Sequence, residues 1–231
     1  QDVIESEPTL ASDVAIVTNQ KSETYQQHVG ESGVRVVVKD ATKGPIEQNC
    51  HLALGYDLLK VKNGDAILKS LRESVKEDGF VMLEELQSAY NKIKNMTTNL
   101  FTQHNLMIVS EQVVENRVVL LLRQPSNVDD REKQIVKVTE TNFNWVEELK
   151  ESLIASETGK YTYVVCQGEE FFGAVGLMNC LKNETGGRNV RMFFIQDKNF
   201  DKFDFNSKSF ATQLKKDLIQ NVYNGQWGSF R

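Results

Sequence analysis

Three cysteines, three prolines and three histidines in 231 residues leave few of the side chains that build disulfide frameworks, metal sites or nucleophilic centres. Cys50, Cys166 and Cys180 are odd in number and widely scattered, which excludes a disulfide framework and reads as reduced thiols of a cytosolic protein. His28, His51 and His104 lie far apart, and no C-x-x-C or H-x-x-x-H pair exists, so the ligand spacings of a zinc site are missing. No apolar run approaches ~18 residues, the length a membrane-spanning helix needs. Dense Lys/Arg runs are missing too, and a formal charge of −5 with a pI near 5.4 argues against a nucleic-acid binder. The opening QDVIESEPTL has neither the basic start nor the apolar centre of a signal peptide. With no secretory signal, the triplets Asn95-Met-Thr and Asn183-Glu-Thr read as chance matches to a glycosylation pattern. The lack of an initiator Met and the aromatic-bearing end NGQWGSFR suggest a fragment of something longer.

Also missing is a phosphate loop. The stretch FGAVGLMNCLKNETGGRNVRMFFI, Phe172–Ile195, does bring glycine close to a strand-like run. A dinucleotide loop, however, follows a strand and opens a helix with close-spaced glycines. Here Gly173 and Gly176 fall inside a helix-like segment, and Gly186-Gly187 come after it. They read as packing and capping residues: Gly173, Gly176, Leu177 and Cys180 as a narrow helix face against a sheet, and Gly186-Gly187 as a left-handed cap and turn into the next strand.

What is present is an ordinary globular composition, 40% hydrophobic and 26% charged, enough for one large domain or two smaller ones with real cores. Strand-like runs occur at Asp13–Asn19, Val34–Asp40 and His51–Leu59, the first two flanking a helix-like QKSETYQQHVGESG. NGDAILKSLRESVKEDG carries a helical stripe of Ala66, Ile67, Leu71 and Val75 with Gly79 as its stop. FVMLEE reads as a strand and LQSAYNKIKNMTTNLFTQH as a helix. Leu106–Gln124 reads as a hairpin turning at Glu115-Asn116. Such alternation implies a parallel sheet with helices on its faces and an antiparallel edge strand from the hairpin, as class I methyltransferase folds finish. Residues 125–134, within QPSNVDDREKQ, read as a linker. Beyond it, IVKVTE and YTYVVCQ read as strands. Between them a helix places Phe143, Val146, Leu149 and Leu153 on one side. After the glycine stretch and NVRMFFI, FATQLKKDLIQNVYNG reads as a last helix with Leu214, Leu218 and Val222. The expected fold class is α/β with two Rossmann-like units. Residues 1–124 form a partial methyltransferase-like sheet ending in the hairpin, and 135–231 a smaller truncated ketoreductase-like unit.

The candidate chemistry is thin. No glycine-rich turn follows a strand to cradle S-adenosylmethionine; His28–Gly33 and Leu54–Asp57 have the wrong spacing or position. Either such a loop lies upstream of residue 1 or none functions. Glu84 and Glu85, at a strand end, read as solvated carboxylates rather than ligand-binding ones. A short-chain reductase needs a tyrosine and a lysine four residues apart with a phosphate loop. Tyr56/Lys60 and Tyr90/Lys94 have the spacing without the loop, whereas Tyr161 and Tyr163 sit in a strand pattern as packing residues. Cys166 and Cys180 read as core thiols, and His51 as a partly buried histidine. No G-x-S-x-G elbow accompanies the histidines. Phe200, Phe203 and Phe205 mark either a contact surface or anchors that fold a loop back onto the core. No catalytic, cofactor-binding or metal-ligating residue is assigned.

Three segments nevertheless stand out together: FNWVEELKESL (Phe143–Leu153), GLMNCLKNETGG (Gly176–Gly187) and NVYNGQWGSFR (Asn221–Arg231). Their order and residues resemble the animal-type fatty acid synthase polypeptide, in its non-catalytic region before the enoyl reductase. NGDAILKSLRESVKEDGFVMLEE and the Leu106–Gln124 hairpin are more loosely similar to the end of that family's pseudo-methyltransferase. The resemblance covers Asp57 to Arg231. It implies the C-terminal part of a pseudo-methyltransferase followed by a truncated pseudo-ketoreductase, with a structural role. It also implies neighbouring enoyl reductase and ketoreductase domains in the same polypeptide, a homodimeric parent, and no membrane or nucleic-acid partner. NADPH and phosphopantetheine would act elsewhere in that parent. Three other readings stay open: a reducing polyketide synthase of the same architecture, an S-adenosylmethionine-dependent methyltransferase, and a stand-alone small-molecule-binding module.

Overall fold

The structure, a computed structural model, describes residues 15–18, 35–139, 143–156, 159–168, 172–184 and 186–228. The chain divides into two compact units, Gln1–Gln124 and Pro125–Arg231. The helix read over QKSETYQQHVGESG, with His28, lies outside the described residues.

In the first unit β1 (Ala15–Thr18) and β2 (Arg35–Val38) pair in parallel. A separate four-stranded sheet holds β3 (Cys50–Tyr56), β4 (Val75–Leu86), β5 (Met107–Val114) and β6 (Arg117–Arg123) in the order β3-β4-β6-β5. β3 and β4 run parallel, while β6 runs antiparallel to both β4 and β5. The antiparallel strand of the hairpin is therefore inserted between β4 and β5, a correction to the expected edge position. The cause is legible in RVVLLLR: a nearly continuous apolar run suits a strand covered by two neighbours. β5 carries Ser110, Glu111 and Gln112 and takes the edge instead. The turn falls at Glu115-Asn116 as expected, with Glu115 in the left-handed region at φ 54°.

Helices α1 (Gly64–Ser74) and α2 (Gln87–Gln103) cover one face of this sheet. Leu68 and Leu71 of α1, with Tyr90 and Phe101 of α2, meet Val81, Leu83, Val118, Leu120 and Leu122. α1 is shorter than its stripe implied. Ser74 Oγ donates to Ser70 O at 2.7 Å and accepts from Ile46 N at 2.9 Å, and Val75 already opens β4. Gly79 is accordingly not a helix stop but a strand residue. A Cβ there would stand 2.9 Å from Cys50 O, where β4 shifts register against β3 between Cys50 and Leu52.

The second unit is a five-stranded sheet in the order β11-β10-β9-β8-β7. Its strands are β7 (Lys133–Lys137), β8 (Tyr161–Gln167), β9 (Val190–Ile195), β10 (Gln220–Tyr223) and β11 (Trp227–Gly228). The first four are parallel, and β11 is antiparallel to β10. α3 (Asn144–Ser156) and α4 (Phe172–Leu181) pack on one face through Leu149, Ala174, Met178 and Leu181. α5 (Lys208–Lys215) packs on the other through Phe210 and Leu214. β9, buried at every position, feeds both cores: Val190, Met192 and Phe194 to one, Phe193 and Ile195 to the other. Since all three crossovers advance the same way across the sheet, the one through α5 winds in the opposite sense to the first two, an uncommon arrangement.

Several expectations are corrected here. The last helix stops at Lys215. Asp217 adopts a left-handed conformation at φ 49°, and Val222 lies in β10 rather than on a helix. Phe143 is 75% exposed, and Trp145 joins Leu149 and Leu153 at the core instead. Gly173 and Gly176 are exposed, with nothing within 4 Å of a Cβ built on either, so they form no face against the sheet. Cys180 is exposed, while Cys166 is buried as expected. Gly186 is left-handed at φ 81°. Gly187 closes onto the end of α4, where a Cβ would stand 1.7 Å from Leu181 O. Within the segment read as a linker, Val128 is buried in the core, Ser126 N donates to Lys215 O at 2.9 Å and β7 opens at Lys133. That segment is held by the second unit.

Candidate functional site

Ligand crevices of open α/β sheets lie beyond the carboxyl ends of the parallel strands, where strand order reverses. In the second unit β7 to β10 follow one another without reversal. Gln167, the last residue of β8, ties down the loop that leaves β9. Its Nε2 donates to Phe200 O at 3.3 Å and Asp201 O at 2.9 Å, and its Oε1 accepts from Phe203 N at 3.1 Å. The loop turns its rings inward. Phe200 stacks on Tyr223 with centroids 3.8 Å apart, Phe203 meets Phe193 at 4.8 Å, and Phe205 meets Tyr163 edge-on at 4.8 Å. Phe200, Phe203 and Phe205 are thus anchors onto the core, and their cluster extends to Phe210 and Trp227. Aromatic side chains fill the space on this face.

The strongest electrostatic cluster stands at the other end of the same strands. Asp217, 8% exposed, precedes β10 and accepts from three guanidinium nitrogens. Arg131 NH1 and NH2 each donate at 2.9 Å, and Arg191 Nε donates at 2.7 Å. Both guanidinium groups sit over the Tyr161 ring, at 4.1 Å and 5.1 Å from its centroid. Arg131 also donates to Ser126 Oγ, and Arg191 NH1 donates to Arg188 O at 2.7 Å. Burial pushes the Asp217 carboxyl up, but these hydrogen bonds prevail and hold it below the ordinary carboxylate range. Beside it the buried Tyr163 hydroxyl is pushed up to about 12, first by burial and then by Asp217. A phenol so reluctant to ionise is a poor proton donor near neutral pH. Bidentate Arg–carboxylate pairing with stacked aromatics is the chemistry of a lock on the strand starts. The sequence offered no signal for it: Arg131 lies in a charge cluster, and Asp217 interrupts an apparently continuous helical stripe. Gln167 was equally silent.

In the first unit the candidate carboxylates part company. Glu84 pairs with Arg117 Nε at 2.5 Å, and Arg117 NH2 also reaches Asp57 Oδ1 at 3.2 Å. Glu85 is 0% exposed, which overturns its reading as a solvated strand end. Its Oε1 accepts from Leu59 N at 3.2 Å, while Oε2 is buried with no hydrogen-bond partner. Burial pushes this carboxyl up, against the backbone N–H groups of Leu59 and Leu58. Tyr90 and Lys94 do converge, but on Glu111: Tyr90 Oη donates to Oε2 at 3.0 Å and Lys94 Nζ to Oε1 at 2.6 Å. Tyr90 is pushed up to about 12 by burial and by Glu111, opposite to what a proton-transferring tyrosine needs. Tyr56 is 58% exposed, and Lys60 pairs with Asp57 at 3.8 Å instead. His51 is exposed, not partly buried, and His104 Nε2 lies 2.7 Å from Asp65 Oδ1. A crevice of about 230 Å³, between Leu58, Leu68, Leu83, Ile93 and Leu100 with Lys62 and Asp65 also in its lining, is mostly apolar and smaller than typical ligand pockets. Among the described residues no cluster of three His, Cys, Asp or Glu side chains fit to hold a metal occurs, and no helix is long and apolar enough to cross a membrane.

An O-methyltransferase from neocarzinostatin biosynthesis matches with 14% identity and a TM-score of 0.40, over 48% of this chain and 41% of that one. A TehB-like S-adenosylmethionine-dependent methyltransferase from Corynebacterium glutamicum matches at 13% and 0.39, over 48% and 68%. A putative type 11 methyltransferase from Sulfolobus solfataricus matches at 10% and 0.41, over 55% and 79%. The chain spans less than half the length of the first of these. Residues 142–231 match the family described as fatty acid synthase, pseudo-KR domain. That stretch, nearly the whole second unit, is thus similar to the pseudo-KR domain of fatty acid synthase, the family that the sequence resembles.

Proposed function

We propose that this chain is a non-catalytic structural segment of a fatty acid synthase multienzyme, whose surfaces position neighbouring reductase domains during fatty acid biosynthesis. The observation that carries this reading is the family match over residues 142–231. Three features of the second unit support it. The strand order has no reversal. Gln167 holds an aromatic loop back onto the sheet. The dense charged cluster of Arg131, Arg191 and Asp217 is self-satisfied at the strand starts. The partners of this reading are enoyl reductase and ketoreductase domains of the same polypeptide, in a homodimeric, cytoplasmic parent. NADPH and phosphopantetheine would serve those domains, and this segment would bind neither. The test is replacement of Pro125–Arg231 in the parent polypeptide by a flexible spacer. The ketoreductase step should slow at least tenfold, while the malonyl-loading step is unchanged. An unaltered ketoreductase rate would sink the positioning role.

A further inference from the structure

Two Asn-Gly pairs occur in the chain, Asn63-Gly64 and Asn224-Gly225. Asparagine is a thermally labile side chain, and glycine after it leaves one intramolecular reaction unhindered. With no Cβ in the way, the glycine backbone nitrogen can reach the asparagine carboxamide carbon. The structure sets the two pairs apart. Gly64 N donates to Val61 O at 2.9 Å, and Asn63 O accepts from Ile67 N at 3.1 Å. The pair opens α1, and Gly64 is buried so closely that a Cβ would stand 2.1 Å from Leu58 O. Ring closure at Asn63 must turn this peptide, break both bonds and undo the first turn of a packed helix. Asn224 and Gly225 instead lie exposed in the turn between β10 and β11. Gly225 is left-handed at φ 73°. Neither its N–H nor the Asn224 carboxamide has a hydrogen-bond partner among the described residues. Asn224 N donates across the turn to Gln226 O at 3.2 Å. Loop tips of this kind are where a chain moves most freely.

We propose that Asn224 is a site of spontaneous deamidation and isoaspartate formation, from which the fold protects Asn63. Gly225 N gives up its proton to solvent and bonds to Asn224 Cγ, while the Cγ–Nδ2 bond breaks and ammonia leaves. Water then opens the resulting succinimide at either carbonyl. One product is aspartate; the other is isoaspartate, whose main chain runs through the former side chain. The reaction is intramolecular and takes only water from outside, so it does not rest on the functional reading of the segment. Isoaspartate adds a methylene to the backbone of the turn, and both products add a carboxylate. Among the described residues two pairs hold β11 to β10, Val222 with Gly228 and Tyr223 with Trp227. Trp227 also stands edge-on to Tyr223 and Phe193, with ring centroids 5.0 Å and 6.0 Å away. A lengthened turn breaks this short register and lifts Trp227 from the aromatic cluster.

Peptide mapping by mass spectrometry tests the site, on the 231-residue chain incubated in mildly alkaline buffer with and without guanidinium chloride. In the folded chain the Asn224 peptide should gain about one dalton and split into two chromatographic forms, at least tenfold faster than the Asn63 peptide changes. In guanidinium chloride both peptides should convert at similar rates, because the hydrogen bonds that guard Asn63 are gone. Equal rates at the two sites in the folded chain overturn the proposal, as does a folded chain in which Asn224 stays intact. Tryptophan emission follows the consequence. It should shift to longer wavelength as Asn224 converts, and it should hold steady in Asn224→Ser, which cannot form the ring by losing ammonia. Full conversion with unchanged emission overturns the release of Trp227.

Discussion

Gly176 and Gly187 both stand by α4, and a methyl group would meet opposite surroundings at the two. At Gly176 there is open space, so Gly176→Ala should raise stability by up to about 1 kcal/mol through helix propensity. At Gly187 the methyl would collide with Leu181 O, and Gly187→Ala should cost about 1–3 kcal/mol or more. Urea denaturation of both variants checks the pair; a loss at Gly176 would restore the close-packing idea. Glu85 and Asp217 form a second contrast, in pH dependence. Asp217 is held below the ordinary carboxylate range, so its contribution is present above its unfolded-state value and is lost as pH falls through its folded one. Glu85 is raised, so its ionisation weakens the fold as pH climbs from the ordinary value of 4.5 through the folded one. Glu85→Gln should therefore raise the melting temperature at pH 7, and the gain should shrink as the buffer is acidified towards 4.5. A gain that did not vary with pH would contradict this. Neither contrast was legible in the sequence, because both turn on which backbone or side chain lies opposite in space.

Among the elements, those with strong local patterning were the legible ones. The Glu115-Asn116 hairpin, the alternation of strand and helix and the buried run of β9 all follow from residue type and spacing. Failures cluster where a long-range contact ended an element early. Ser74 stops α1 by bonding back to Ser70 and across to Ile46. Asp217 leaves the helical region while paired with Arg131, 86 residues away in sequence. The inner position of β6 agrees with its nearly continuous apolar run, but the alternation of strand and helix alone does not encode pairing order. It carries its own test. Leu120 is 0% exposed between two neighbouring strands, and Leu120→Ala should cost about 2–5 kcal/mol by equilibrium unfolding. A loss below ~1 kcal/mol would fit an edge strand and contradict the observed order.

For the whole molecule, two units with separate cores accompany one family match confined to the second. The segment read as a linker belongs to that second unit through Val128 and Arg131. Arg131→Ala should cost about 3 kcal/mol, because it leaves a buried carboxylate with one guanidinium partner in place of two. A loss within about 0.5 kcal/mol, the range of ordinary surface substitutions, would instead mark a passive tether. No phosphate loop, metal spacing or nucleophile elbow occurs in the sequence, and the tyrosine–lysine pair that does converge is bound to a carboxylate. The central claim, a structural segment without cofactor chemistry of its own, is tested most directly by calorimetric titration of the 231-residue chain with NADPH and with S-adenosylmethionine. No binding heat is expected for either at micromolar concentrations. A saturable micromolar isotherm with either one would contradict it.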